Sequence, residues 1–188
     1  MKYENIKSPE ELLKFMNQHI TYGFVSKSGK KYEDSLAQEW ANDWYNECIV
    51  QTGEEVLKTK IGTCFDQVEL ERLWFKNHNY KIKTIFIWFE IEEVNDLPTH
   101  TFLIYNKDGK YYWFENASWD NRGIHEFNNI EEAIEYVKQR QMEYLVNVGK
   151  YKKKYYNLIK AYEYDKPLSN LSIEEYLKHV TKNNQINN

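Results

Sequence analysis

Apolar positions along this chain change period twice, separating a helical beginning, a strand-rich middle and a mixed end. Ser8-Pro9-Glu10-Glu11 reads as a helix start: serine as N-cap, proline at the first position, acids in the first turn. Leu12, Leu13, Phe15 and Met16 supply its apolar face, and Gly23 and Ser28-Gly29 mark turns. Asp34 or Ser35 caps a second expected helix, on which Leu36, Trp40, Trp44 and Cys48 form a stripe at four-residue spacing. That stripe puts Cys48 in a core face as an inert thiol. Gln51-Thr52-Gly53 is a break, Glu54 and Glu55 open a short helical piece, and Lys60-Ile61-Gly62-Thr63 breaks the chain again. A helix is then expected from Cys64 to about His78. Its apolar residues lie on no single stripe, the pattern of a helix contacted on several sides.

From Tyr80 the period becomes two. Ile82, Thr84, Phe86 and Trp88 alternate with Ile85, Ile87 and Phe89 in a strand whose two faces are both partly buried. Residues 101–105 and 110–115 predict two further strands around Asp108-Gly109, a strong hairpin signal. A fourth strand is expected over 123–127, a helix over 130–145, a strand over 158–164, and a last helix capped at Ser172. Helices followed by an antiparallel sheet predict an α+β fold. With no repeats and no linker, residues 1–181 read as one domain and 182–188 as a polar tail.

Composition narrows the picture. Aromatic residues make up 16% of the 188, which excludes a disordered chain. The net charge of -4 offers no general attraction to nucleic acid. One basic run, Lys150-Tyr151-Lys152-Lys153-Lys154-Tyr155-Tyr156, is of a kind that stacks on bases, but no matching stripe accompanies it, so a nucleic-acid partner is not expected. Cys48 and Cys64 form neither a CxxC motif nor a zinc spacing, and no metal or cofactor is expected. No apolar h-region follows Met1, and no apolar run approaches the roughly 18 residues of a membrane span. The expectation is a soluble cytoplasmic chain in which thiols stay reduced.

The candidate chemistry begins at Gly62-Thr63-Cys64-Phe65-Asp66. With Thr63 as N-cap and Asp66 at N3, the segment resembles a capping box that makes Cys64 the first helical residue. Free N–H groups and the positive end of the helix dipole favour a thiolate there. The same N–H groups suit the oxyanion formed when a thiolate attacks an acyl carbon. His100 stands at the mouth of an apolar strand, between Pro98 and that strand. If Asp108-Gly109 is a two-residue turn, Lys107 faces Lys110, Ile104 faces Trp113 and Phe102 faces Glu115. Glu115 is then the diagonal neighbour of His100, roughly 7–8 Å away between α-carbons. A four-residue loop sets the two directly opposite; an odd-length loop or a bulge presents Asn116 instead. Asp120 needs a bend. A carboxylate on one imidazole nitrogen fixes the tautomer while the other nitrogen takes a thiol proton.

A Gly-x-Cys-x-Asp helix start, a strand-start His about 35 residues on and an acid about 15 residues later together resemble the transglutaminase-like superfamily. That group includes transglutaminases and peptide N-glycanases, and arylamine N-acetyltransferases share its order of parts. The matched stretch, about 61–120, is a third of the chain. The resemblance implies a papain-like core, with helices packed on an antiparallel sheet and the nucleophile at the N-terminus of a central helix. It makes Cys64 the nucleophile, His100 the base and Glu115 the counterpart of the usual Asp. It also implies a thioester route acting on a peptide or a small acyl or amide substrate. The chain departs from the pattern in having Glu for Asp and Asn116-Ala117-Ser118-Trp119 after it. The first oxyanion donor would be the Cys64 backbone N–H, with Gln18 as a side-chain candidate. Superfamily members that have lost catalysis define the other reading, a binding module for a protein partner.

Overall fold

The computed structural model describes residues 2–89, 98–149, 156, 158–182 and 185–186. In chain order its elements are α1 (Pro9–His19), β1 (Thr21–Tyr22), β2 (Phe24–Val25), β3 (Lys31–Tyr32), α2 (Gln38–Glu47), β4 (Ile49–Val50) and α3 (Gly53–Thr59). There follow β5 (Ile61–Gly62), α4 (Cys64–Asn77), β6 (Lys81–Phe89), β7 (Thr99–Lys107), β8 (Lys110–Glu115) and β9 (Gly123–Phe127). The chain continues with α5 (Ile130–Asn147), β10 (Ile159–Glu163), β11 (Leu171–Ser172) and α6 (Ile173–Thr181). This is an α+β protein.

The sheet grows from the Asp108-Gly109 turn. Both residues have positive φ, 51° and 79°, as a two-residue hairpin of matching twist requires. Lys107 therefore faces Lys110 and Ile104 faces Trp113, the register expected of the shorter loop. The five strands run in the order β10-β6-β7-β8-β9, each antiparallel to its neighbours. One face, with Ile85, Ile87, Phe102, Ile104 and Trp113, packs on Ala133, Ile134 and Val137 of α5. On the other, Leu103, Tyr105 and Phe114 meet Trp74 and Phe75 of α4 and Leu12 and Phe15 of α1.

Buried on nearly every side, α4 is the central helix. Even its charged residues are enclosed. Arg72 donates to Glu69 through Nε (2.9 Å) and a terminal nitrogen (3.2 Å), and to the Thr84 hydroxyl at 2.7 Å. Thr84 in turn donates to the Tyr164 carbonyl at 2.6 Å, joining α4 to the sheet and to the segment after β10.

One expectation needs correction. The second helix starts at Gln38, after an Asp34 side-chain turn onto the Leu36 N–H (2.9 Å). Leu36 is accordingly 94% exposed and belongs to no stripe, while Cys48 is buried as the C-cap residue. Within the segment 182–188, the described residues 185 and 186 lie against the sheet. Gln185 bridges to Tyr162, and Ile186 donates to the Ala161 carbonyl at 2.8 Å and packs against the α5-side core. Residues 150–155 of the Lys/Tyr run lie outside the described residues; Tyr156 bonds to Glu135. Among the described residues no helix is long and apolar enough to cross a membrane.

Candidate functional site

Cys64 begins α4 because the residues before it cannot continue a helix. Lys60 adopts a left-handed backbone (φ 63°) and ends α3. Ile61 and Gly62 then pair with Thr21 and Tyr22 as β5, and Thr63 is extended. Asp66 clamps the turn. Its carboxylate accepts from the Thr63 N–H (2.8 Å), the Thr63 hydroxyl (3.0 Å) and the Gln51 N–H (2.7 Å). Burial nevertheless outweighs these bonds and pushes Asp66 up to about 7. The thiol is thus held at the first turn of a 14-residue buried helix, where backbone N–H groups lack intrahelical acceptors. Among the described residues no acceptor is in range of the Cys64 N–H.

His100 and Glu115 occupy the ends of β7 and β8. His100 Nε2 lies 2.8 Å from Glu115 Oε2, and both side chains are buried. The second Glu115 oxygen accepts the Ser118 N–H at 2.6 Å, so the turn after β8 holds the carboxylate in place. Cys64 also raises the imidazole, as a hydrogen-bonding neighbour and through its charge, which sets the thiol near the ring. With Nε2 committed to Glu115, the nitrogen left for the thiol is Nδ1. Burial pushes the imidazole down, but the Glu115 charge and the bonds to Cys64 and Glu115 outweigh it, raising His100 to about 10. Cys64, His100 and Glu115 therefore meet in one chain of contacts. Cys48, by contrast, is an enclosed thiol that burial pushes far up.

The competing candidates are engaged elsewhere. Asn116 donates to Gln67 Oε1 at 2.7 Å, and Gln67 donates to the Gly62 carbonyl at 2.8 Å. These two bonds lock the end of β8 to the first turn of α4, a positioning role the sequence did not reveal. Asp120 is exposed in the short 3-10 turn Trp119–Asn121. Gln18 lies on the exposed side of α1 with no hydrogen bond to the site. Rings of His78, His125 and His179 bond to the carbonyls of Trp74, Asn121 and Asp165.

A further carboxyl, Glu71, stands two turns along α4 from Cys64. It is buried, and its Oε2 has no partner. Burial and then the Glu115 charge push it well up, while the His100 charge pulls it back. Aromatic side chains surround the thiol: Trp40, Trp44 and Trp88 pack with Cys64, Phe65 and Val68 in one cluster. Only 6% of Cys64 is exposed. A concavity of about 560 Å³ exists elsewhere, lined by Lys2, Tyr3, Phe15 and Lys60, but none of the site residues borders it. The chemistry, rather than the volume, locates the site. Among the described residues no group of three or more His, Cys, Asp or Glu is arranged to hold a metal ion.

Comparison of the chain with protein-family models, with curated proteins and with solved structures found no match.

Proposed function

We propose that this protein is a thiol-dependent acyl enzyme of transglutaminase-like type with a papain-like core, its substrate a peptide or a small acyl or amide compound. One observation carries the reading: the Cys64–His100–Glu115 contact chain at the start of a buried helix. In the reaction the Cys64 sulfur attacks the acyl carbon, and the carbonyl π pair moves to oxygen. As that oxyanion collapses, the bond to the leaving amine or alkoxide breaks and His100 supplies the proton. A thioester remains on Cys64. Water or an amine then gives a proton to His100 and attacks the thioester, and the C–S bond breaks to restore the thiolate. Glu115 stabilises the imidazolium throughout.

p-Nitrophenyl acetate is a suitable probe. Mixing it with the purified protein should release a burst of one p-nitrophenolate per chain and leave one acetyl group on Cys64, located by peptide mass spectrometry. Cys64→Ser should abolish both. An equal burst in that variant would remove the reading. It would favour the alternative of a catalytically inactive module for a protein partner, for which Trp119, Leu36 and Leu168 are among the exposed apolar side chains of the described residues.

A further inference from the structure

A strand-borne polar group near the site has no task in the thiol chemistry above. Parallel pairing of β1 with β5 sets Tyr22 opposite Gly62, two residues before Cys64. Paired residues share a face of their ladder, and on that face Gly62 has α4 directly against it. A Cβ added to Gly62 would lie 2.8 Å from Asp66 Cβ and 3.6 Å from Gln67 Cγ. Tyr22 therefore lies over the first turn of the catalytic helix. Its ring stacks on Trp40, 6.1 Å between centroids, and Trp40 packs against the cluster that contains Cys64. The residue is 40% exposed, and the charges of Cys64, Asp66 and Glu115 all raise its hydroxyl. These facts fit a ring laid across the mouth of the site with its polar tip turned inward. Among the described residues the hydroxyl has no hydrogen-bond partner.

We propose that the Tyr22 hydroxyl is the side-chain donor to the oxyanion formed on attack by Cys64, acting with the Cys64 backbone N–H. The proposal rests on the thiol reading above and deepens it. In the attack step the new C–S bond forms as the carbonyl π pair localises on oxygen. Tyr22 donates a hydrogen bond to that oxygen without giving up its proton. Burial, followed by the negative charges of Cys64, Asp66 and Glu115, holds the phenol well above its ordinary range, so it remains a donor wherever the thiol acts. A donor aimed at charge that develops only in the transition state accelerates acyl transfer and leaves other thiol reactions alone.

That selectivity provides the experiment. Acylation by p-nitrophenyl acetate passes through an oxyanion. Alkylation by iodoacetamide displaces iodide at a saturated carbon and does not. Wild type, Tyr22→Phe, Trp88→Phe and His100→Ala are compared in both reactions. Trp88 is included because its indole N–H is buried and unpartnered and its ring packs against the same cluster. Tyr22→Phe should slow acylation by about 10²–10³-fold and keep the wild-type alkylation rate. Equal losses in both reactions would make Tyr22 a thiol-positioning residue and overturn the proposal. So would unchanged acylation, or a loss confined to Trp88→Phe. Wild-type protein with no His100-dependent burst would overturn the thiol reading itself, and this proposal with it.

Discussion

Replacing His100 with alanine should slow acylation of Cys64 by about 10²–10⁴-fold, the usual contribution of a positioned acid–base group. The size of the effect follows from the two contacts the ring makes. One nitrogen is held by Glu115 at 2.8 Å and the ring also responds to Cys64, so a single substitution removes both the proton acceptor and the counter-charge of the thiolate. Alkylation by iodoacetamide should fall as well, because the thiolate is the reacting form. His100→Ala also leaves Glu115 buried without its partner. His100→Gln, which keeps an N–H for the carboxylate, is therefore measured beside it, with near-ultraviolet circular dichroism to report folding. Both variants should lose activity while the glutamine variant keeps the native spectrum. Wild-type acylation rates in a folded His100→Gln protein would contradict this assignment of the base.

The largest effect on stability is expected at Arg72. Arg72→Met should destabilise the protein by about 3–5 kcal/mol, because it strands the Glu69 carboxylate in the interior. Arg72 holds both Glu69 oxygens and the Thr84 hydroxyl, and its guanidinium lies 5.3 Å from the centre of the Tyr164 ring. The methionine preserves most of the packing, so the loss reports the unpaired charge. Burial already pushes Glu69 up while Arg72 pulls it back. Without Arg72 the acid takes a proton more readily, and the deficit shrinks as the pH is lowered. Arg72→Met combined with Glu69→Leu should recover most of the loss, since an apolar pair replaces a buried ion pair at little cost. Urea denaturation at pH 7 and pH 5 measures all three proteins. An Arg72→Met midpoint equal to that of wild type would show that the ion pair contributes nothing.

How much the sequence disclosed depended on how long each signal ran. The hairpin was legible because Asp108-Gly109 admits a two-residue turn, and turn parity then placed Glu115, rather than Asn116, beside His100. The start of α4 was legible from its cap and clamp, Thr63 and Asp66. β1 and β5 are two residues each and carry no periodicity, so Tyr22 over the first turn of α4 could not be seen. The Gln67–Asn116 bond joins side chains 49 positions apart. Nothing in the sequence marked Glu69, Glu71 and Arg72 of α4 as interior, yet all three are buried. Arg72 meets Thr84 of β6 and the ring of Tyr164 beyond β10, at sequence distances no local pattern reports. The four-residue stripe through Leu36 failed because the Asp34 turn competes with helix at that point.

The ionisation of His100 bears most directly on the account. Nitrogen-15 resonances of a histidine-labelled sample, followed with pH, report the charge on its ring. The imidazole should stay protonated far past 6.5, to about pH 10. Its contribution to stability is then complete below pH 6.5 and fades as the pH rises toward 10. Glu115→Gln should lower the midpoint most and Cys64→Ser by less, in the order of their influence on the ring. A midpoint at or below 6.5, unmoved by either substitution, would mean that thiol, imidazole and carboxylate do not act as one unit.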